Sequence, residues 1–128
     1  MDGERIAREL IDAFNAIDFP RMRSLLADDL RAYITNREGG VDETAGADTY
    51  LGRIEAMDLP SAEFRTAVTQ AVTIRPDTVM VMVEVHAARR GTTLHNHAAH
   101  LLFLRDGRVA EWWMVEALPA ESDAFWSS

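Results

Sequence analysis

The sequence predicts an α+β domain in which helices pack on one face of a bent antiparallel sheet. Two observations carry this prediction. In the first half of the chain apolar residues recur at helical spacing, and from Phe64 onward they alternate, as they do in strands. Turn signals at Pro76-Asp77, Arg90-Gly91 and Asp106-Gly107 separate four long alternating segments. Because consecutive hairpins join neighbouring strands, these segments are expected to form an antiparallel sheet.

Apolar residues at three- and four-residue spacing mark the predicted helices. In the first helix they recur from Ile6 to Ile17 and make one apolar face. Asp18 is a capping residue and Pro20 is favoured in a first helical turn, so a second, short helix is expected there. The predicted helices are Arg5–Ile17, Pro20–Leu26, Ala47–Met57 and, in the tail, Pro119–Trp126.

Alternation bounded by turn residues marks the predicted strands. Asp106-Gly107 is the strongest turn signal, because Asp-Gly readily adopts the positive φ angles that tight hairpins need. The segment from Asn36 to Ala45 contains Gly39-Gly40 and has no periodicity, so it is predicted to be a loop. The predicted strands are Leu30–Ile34, Phe64–Ile74, Thr78–Arg89, Thr92–Arg105 and Arg108–Glu116.

Length, charge and cysteine content exclude several classes of protein. A chain of 128 residues suits a single domain, residues 1–128, with a core that needs no disulfides. The formal net charge is −8. It argues against nucleic acid and anionic membranes as partners, because phosphate groups are bound by clustered Lys and Arg. There is no cysteine, which excludes a thiolate nucleophile and a cysteine metal site.

The hydropathy pattern bears on location and assembly. The start of the chain, Met1 to Arg5, is polar, and the longest apolar stretch, Val79 to Val85, is too short to cross a bilayer. We therefore expect a cytoplasmic protein. Both faces of the predicted strands carry large apolar side chains, and the helices can cover only one of them. We expect the other, convex face to form a homodimer.

Three stretches of the sequence form a pattern shared with a known superfamily. The first runs from Ala7 through Asp18 to Leu25-Leu26-Ala27-Asp28-Asp29, and the second is Gly46–Met57. The third is the hairpin His100–Trp113, with its His, Phe, Asp-Gly and Trp. With these motifs the chain resembles the nuclear transport factor two-like superfamily, in particular its SnoaL-like and ketosteroid-isomerase-like branches. The resemblance implies a cone-shaped, cystatin-like fold, a curved antiparallel sheet wrapped around three helices, with a pocket on the concave face.

The functional residues of two branches of this superfamily are absent. Where the resemblance places the tyrosine, the base and the second aspartate of the ketosteroid isomerases, this chain has Leu10, Ile34 and His100. The limonene epoxide hydrolases use an Asp–Arg–Asp set, and the corresponding last strand here, Trp112–Val115, offers no Asp. The resemblance therefore implies neither of these two activities.

The SnoaL-like cyclases instead place a His and an acid from the last two strands in the pocket. His100 matches that His, and Glu116 lies at or beside the acidic position, which Ala117 would otherwise occupy. The resemblance implies that His100 is a catalytic acid/base and that Glu116 orients it or shares its proton. A three-residue bulge turn puts both on one face, whereas a strict two-residue turn would set His100 against Trp113. The alternative is that His100 is a core residue without a catalytic role.

The predicted pocket has an apolar wall and a polar mouth. The hairpin register also decides whether Trp112 or Trp113 lines the wall. Tyr33 and Asn36, at the end of the first strand, are placed at the mouth, where they could donate to a substrate oxygen. They are otherwise a half-buried aromatic residue and a turn residue. The candidate substrate-binding residues are Leu10, Tyr33, Asn36, Val83, Leu102, Trp112 and Met114.

A group of histidines raises the question of a metal ion. His95 and His97 share a strand face, and His86 could join them from the neighbouring strand; imidazoles suit zinc, copper or iron. The sequence shows no acid of the facial-triad type beside them, and their parity is opposite to that of His100. We therefore predict no metal and no cofactor.

These observations predict a small-molecule pocket protein acting as a cofactor-free acid–base enzyme. Its substrate would be an apolar molecule that bears a carbonyl or hydroxyl group, and its reaction an isomerisation, cyclisation, dehydration or hydration. The alternative is a non-catalytic ligand-binding or dimerisation domain, which the missing isomerase and hydrolase residues favour.

Overall fold

The computed structural model describes residues 2–127, and within them four α-helices pack on a six-stranded sheet. The helices are α1 (Gly3–Asn15), α2 (Phe19–Leu25), α3 (Ala47–Ala56) and α4 (Pro119–Trp126), with a 3₁₀ helix at Leu59–Ala62. The strands are β1 (Leu26–Thr35), β2 (Val41–Ala45), β3 (Arg65–Arg75), β4 (Thr78–Arg89), β5 (Thr92–Arg105) and β6 (Arg108–Glu116). The predicted α+β class is confirmed. In this part of the chain no helix is long and apolar enough to cross a membrane.

Helix α1 is fixed at both ends by side-chain hydrogen bonds. At its start the Asp2 carboxylate accepts a hydrogen bond from the Arg5 backbone N–H and so caps the first turn. At its end the Asn15 side chain donates to the carbonyl of Thr66 at 2.7 Å and accepts from the N–H of Thr66 at 2.8 Å. This pair of hydrogen bonds ties the helix to β3. It holds the apolar face of the helix, which includes the fully buried Leu10, against the sheet.

The sheet is mixed, with the strand order β2-β1-β6-β5-β4-β3. Four neighbouring pairs are antiparallel, but β1 runs parallel to β6, with Ala32 beside Trp112 and Ile34 beside Met114. The prediction of a wholly antiparallel sheet was wrong at this pair. Alternation shows which side chains share a face of a strand, but not whether the strand runs parallel or antiparallel to its neighbour. No hairpin connects β1 to β6, so no turn signal indicates their relative direction either.

The segment predicted to be a loop contains strand β2. It pairs with β1 from Thr35 opposite Val41 to Arg31 opposite Ala45. Four of its five residues are exposed, and only Thr44 is buried. An edge strand that is exposed and acidic shows no alternation of apolar residues, so the pattern that predicts strands is missing there.

Strand β4 divides the fold into its two faces. Val79, Val81 and Val83 point to the concave face and are buried beneath the helices. Met80 and Met82 point to the convex face, where Met82 remains 36% exposed. The hydrophobic core therefore lies between the helices and the concave face of the sheet.

Candidate functional site

A single extra residue in β6 sets the register of the β5–β6 hairpin. The turn is the two-residue Asp106-Gly107, both with positive φ, and Leu104 then pairs with Val109. The next pair is Phe103 with Glu111, which leaves Ala110 as a bulge. The bulge that the sequence analysis required is present, but it lies in the strand and not in the turn.

The bulge decides which side chains of the hairpin face the helices. Leu102 pairs with Trp112, His100 with Met114, and Ala98 with Glu116, and these residues share the concave face. Trp113 points to the convex face. His100, Trp112, Met114 and Glu116 are therefore brought to one side of the sheet.

These side chains line a cavity of about 370 Å³ between the concave face and the helices. Its apolar walls come from α1, α3, α4 and the sheet, and include Ile11, Phe14, Ile54, Met57, Phe64, Val85, Trp112, Met114 and Trp126. Its polar lining consists of Asp42, Thr44, Tyr50, Arg53, Thr66, His100, Glu116, Ser122 and Asp123. A cavity of this size, in which apolar residues outnumber polar ones, has the dimensions of a small-molecule site.

One hydrogen bond fixes the tautomer of His100. Trp112 Nε1 lies 2.7 Å from His100 Nδ1, and an indole nitrogen can only donate. Nδ1 must therefore be the acceptor, and the proton of the neutral ring is on Nε2. The side chain of His100 is half-buried, and burial lowers its pKa to about 4. At neutral pH His100 is uncharged.

This tautomer limits the chemistry that the ring of His100 can perform. A general base at Nε2 needs a lone pair there, which would put the ring proton on Nδ1, facing the N–H of Trp112. The arrangement instead presents Nε2–H, which has no hydrogen-bond partner among residues 2–127, as a donor. His100 is thus suited to bind an oxygen that carries negative charge.

Glu116 is a half-buried carboxyl group of the site. Its Oε2 accepts a hydrogen bond of 3.4 Å from Asn96 Nδ2, and its buried Oε1 has no partner in the described part of the chain. Burial, and to a smaller extent the charge of Asp123, raise the pKa of Glu116, while the nearby polar side chain of Ser122 opposes the shift. No hydrogen bond joins Glu116 to His100 within residues 2–127; the Ala98–Glu116 pair lies two pairs along the hairpin from the His100–Met114 pair, on the same face. A carboxylate whose pKa is raised by burial is a stronger base than an ordinary one, so it can accept a proton and return it.

Tyr50 is a further polar group of the cavity, and the sequence analysis missed it. Its hydroxyl lies 3.9 Å from Met114 Sδ, a weak acceptor, and burial raises its pKa, so it stays protonated. Met114 is the cross-strand partner of His100, so Tyr50 and His100 both neighbour Met114, and all three line the cavity. The signal in the sequence was a tyrosine on the inward face of α3, which helical spacing alone does not distinguish from packing.

Polar and charged side chains surround another part of the cavity. Arg53 of α3 donates to Thr44 Oγ1 at 2.6 Å, and both line the cavity with Asp42. Asn36 does not line it; this residue lies in the β1–β2 turn, and its Nδ2 donates to Asp42 Oδ1 at 3.1 Å. Asn36 therefore supports the wall from outside, where a direct contact with substrate was predicted.

Four other residues predicted to bind substrate do not line the cavity. Leu10, Val83 and Leu102 are buried in the core, because α1 packs directly on that part of the concave face. Tyr33 points to the convex face, where its ring stacks on Trp113 at 4.1 Å between centroids. The parallel pairing with β6 turns its neighbours Ala32 and Ile34 inward.

The pKa of His100 predicts a pH dependence of stability. Its folded-state pKa of about 4 lies below the ordinary value of 6.5, so between these values the unfolded chain binds a proton that the folded chain does not. Stability contributed by the neutral ring is therefore complete above pH 6.5 and is lost as the pH falls toward 4. We expect urea unfolding at pH 4.5 and pH 7 to show a loss of about 2 kcal/mol from this group.

The matched variant for this measurement is His100→Gln, whose amide oxygen can still accept from Trp112. It should show a smaller loss of unfolding free energy at low pH. The raised pKa of Glu116 acts in the opposite direction, since it lowers stability as the pH rises above 4.5, but it is present in both proteins. The same pH dependence in both proteins would contradict the assignment of a neutral, buried His100.

Comparisons with known proteins identify the fold and the family. The structure is similar to that of Bal32a, from a soil-derived mobile gene cassette, with a TM-score of 0.82 and 17% identity over 95% of this chain and 94% of that chain. A Xanthomonas campestris protein of unknown function with a cystatin-like fold gives 0.79 and 22%, over 98% of each chain. A putative SnoaL-like polyketide cyclase from Jannaschia sp. CCS1 gives 0.74 and 16%, over 89% of this chain and 84% of that one. No curated protein matches the sequence. The model of the SnoaL-like domain matches residues 7–112, and the chain belongs to this family.

Proposed function

We propose that the protein is a cofactor-free acid–base enzyme, an isomerase, cyclase, dehydratase or hydratase. Its substrate is a mostly apolar small molecule that bears a carbonyl or hydroxyl group. One observation carries the proposal: the same cavity is lined by a half-buried carboxyl group with a raised pKa, Glu116, and by a neutral imidazole, His100, whose N–H is on Nε2. Groups with such different protonation behaviour in one apolar site are typical of acid–base catalysis.

In the proposed reaction Glu116 moves the proton. Its carboxylate takes a proton from the carbon next to the substrate carbonyl, and the negative charge that develops moves to the carbonyl oxygen. The Nε2–H of His100 and the hydroxyl of Tyr50 donate to that oxygen. The protonated Glu116 then returns the proton to carbon or to a leaving hydroxyl group. Donors that are already oriented in a site of low polarity stabilise this charge strongly.

The lining of the cavity supports an apolar substrate of modest size. Aromatic and aliphatic side chains form most of the walls, and about 370 Å³ suits a molecule of one to three rings. Trp112 contacts Phe14 edge-on at 5.7 Å and Tyr50 at 5.2 Å between ring centroids. This aromatic cluster forms one rigid wall, against which a planar substrate would pack.

The proposal is tested by exchange of substrate protons with solvent. Apolar ketones of one, two and three rings, such as cyclohexanone, β-tetralone and an anthrone derivative, are incubated with the protein in D₂O. Loss of the proton signals next to the carbonyl is followed by NMR. We expect exchange faster than in buffer alone for at least one ketone. Binding without exchange would favour the alternative of a non-catalytic ligand-binding domain, and exchange at the buffer rate for every ketone would contradict the enzyme proposal.

We also propose that the convex face forms a homodimer. Met82 is 36% exposed and Val115 is 49% exposed on this face, and the Tyr33–Trp113 stack lies beside them. An apolar surface of this kind is stabilised when a second copy covers it. Light scattering should give the mass of a dimer, and Val115→Arg should convert it to a monomer. The control Arg8→Glu, on an exposed face of α1, should leave the mass unchanged. A monomeric wild-type protein at tens of micromolar would contradict this proposal.

A further inference from the structure

We propose that the convex face carries a binding site for a first-row transition-metal ion such as Zn²⁺, formed by Glu84, His95 and His97. The antiparallel pairing of β4 with β5 places Glu84 opposite His97 and His86 opposite His95. Four potential ligands thus form a block of two neighbouring pairs on one face of the sheet. The sequence analysis predicted no metal because it found no acid beside the histidines, and Glu84 of the neighbouring strand is that acid.

The distances in this block are close to those that a metal ion requires. One ligand atom from each of Glu84, His95 and His97 lies within 4.8 Å of the other two. Glu84 Oε2 is 3.5 Å from His95 Nε2 and 3.9 Å from His97 Nδ1. Ligand atoms around a tetrahedral zinc ion, bound at about 2.0–2.2 Å, are roughly 3.4 Å apart. Small rotations of the side chains bring the three atoms to that spacing, and in the single chain the His95 and His97 side chains are 58% and 55% exposed.

His86 supports the proposed site from one side. Its Nε2 is 2.9 Å from Glu84 Oε1, the oxygen that does not face the other two histidines. Its ring also stacks on that of His95, with 4.4 Å between centroids. A hydrogen bond to the second carboxylate oxygen holds a ligand in place, as outer-shell groups do in known metal sites. Arg65 of β3 pairs with His86, so positive charge is on that side and the ion is expected nearer His97.

The ligand set also limits which ions can bind. Two imidazoles and one carboxylate suit Zn²⁺, Ni²⁺, Cu²⁺ or Fe²⁺, whereas Ca²⁺ and Mg²⁺ prefer oxygen ligands alone. The site lies on the opposite face of the sheet from the cavity. It is therefore separate from the proposed catalytic groups, and binding there can be measured without a substrate.

The test is calorimetric titration of the untagged, full chain with ZnCl₂ near neutral pH in a buffer that does not chelate metals. We expect one ion per chain. His97→Ala and Glu84→Gln should each weaken binding by at least about tenfold. The control Glu111→Gln, which changes a carboxylate elsewhere on the convex face, should bind as the wild type does.

Cobalt provides a second measurement that does not depend on heat. Co²⁺ bound by two imidazoles and a carboxylate gives visible absorption bands, and these bands should be present in the wild type and absent in His97→Ala. Circular dichroism of each variant establishes that it is folded. No binding by the wild type, or binding that His97→Ala and Glu84→Gln leave unchanged, would overturn the proposal.

Discussion

Replacing Glu116 by glutamine is expected to slow the protein-catalysed exchange of ketone protons by about two to four orders of magnitude. Glutamine has nearly the same shape and can still accept from Asn96, but it cannot take up the proton. Since burial penalises the charged form of Glu116, the free energy of unfolding at neutral pH should stay the same or rise slightly. The rate is measured by NMR in D₂O and the stability by urea unfolding.

The matched control for this variant is Glu111→Gln on the same strand. Glu111 points to the convex face, where its Oε2 accepts a hydrogen bond of 2.6 Å from Trp113 Nε1. The Glu111→Gln variant also removes one negative charge from β6, but on the opposite face of the sheet. The rate of ketone exchange in this variant should therefore remain that of the wild type. Full activity in Glu116→Gln would show that another group moves the proton.

Replacing Trp112 by alanine is expected to lower the free energy of unfolding by about 3–5 kcal/mol. The side chain is 1% exposed and packs against Phe14 and Tyr50. Its removal opens a large void and leaves His100 Nδ1 without its donor. Urea or thermal unfolding measures the loss. Trp113→Ala, on the half-buried convex side of the same strand, should cost clearly less, and equal losses would contradict the register described above.

A second variant at this position separates packing from hydrogen bonding. Trp112→Phe keeps an aromatic ring in the core but removes the N–H, so we expect a smaller loss of unfolding free energy. In this variant nothing fixes the tautomer of His100, and the rate of ketone exchange should fall even though the protein is folded. A wild-type rate in Trp112→Phe would show that the Trp112–His100 bond has no part in catalysis.

The parts of the fold that local sequence determines were predicted well. Strands β4, β5 and β6 begin and end at the predicted residues, because alternation defines each strand and Arg90-Gly91 or Asp106-Gly107 ends it. The acidic edge strand β2 and the parallel pairing of β1 with β6 were not predicted. The first lacks apolar residues to alternate, and the second depends on contacts between distant parts of the chain.

The candidate site was predictable only in part: four of the nine predicted residues, His100, Trp112, Met114 and Glu116, line the cavity. The pattern placed His100 and Glu116 on one face, which the observed pairing also does. It could not reveal the bulge at Ala110, and therefore not the bond from Trp112 that makes His100 a donor. Alternation along a strand shows which face a side chain is on, but not whether a helix covers it there. For this reason Leu102 was predicted to line the pocket, although it is buried beneath the helices.

The parallel pairing of β1 with β6 has a consequence for synthesis on the ribosome. The two strands are far apart in the sequence: the N–H of Glu116 donates to Oγ1 of Thr35, and these residues are 81 positions apart. While the nascent chain grows, β1 and β2 can form a hairpin, but its inner edge has no partner until β6 has left the exit tunnel. Such an unpaired edge is prone to aggregation, and the distant contact makes its closure slow. Folding of this domain is therefore completed only after its last strand, β6, has been synthesised.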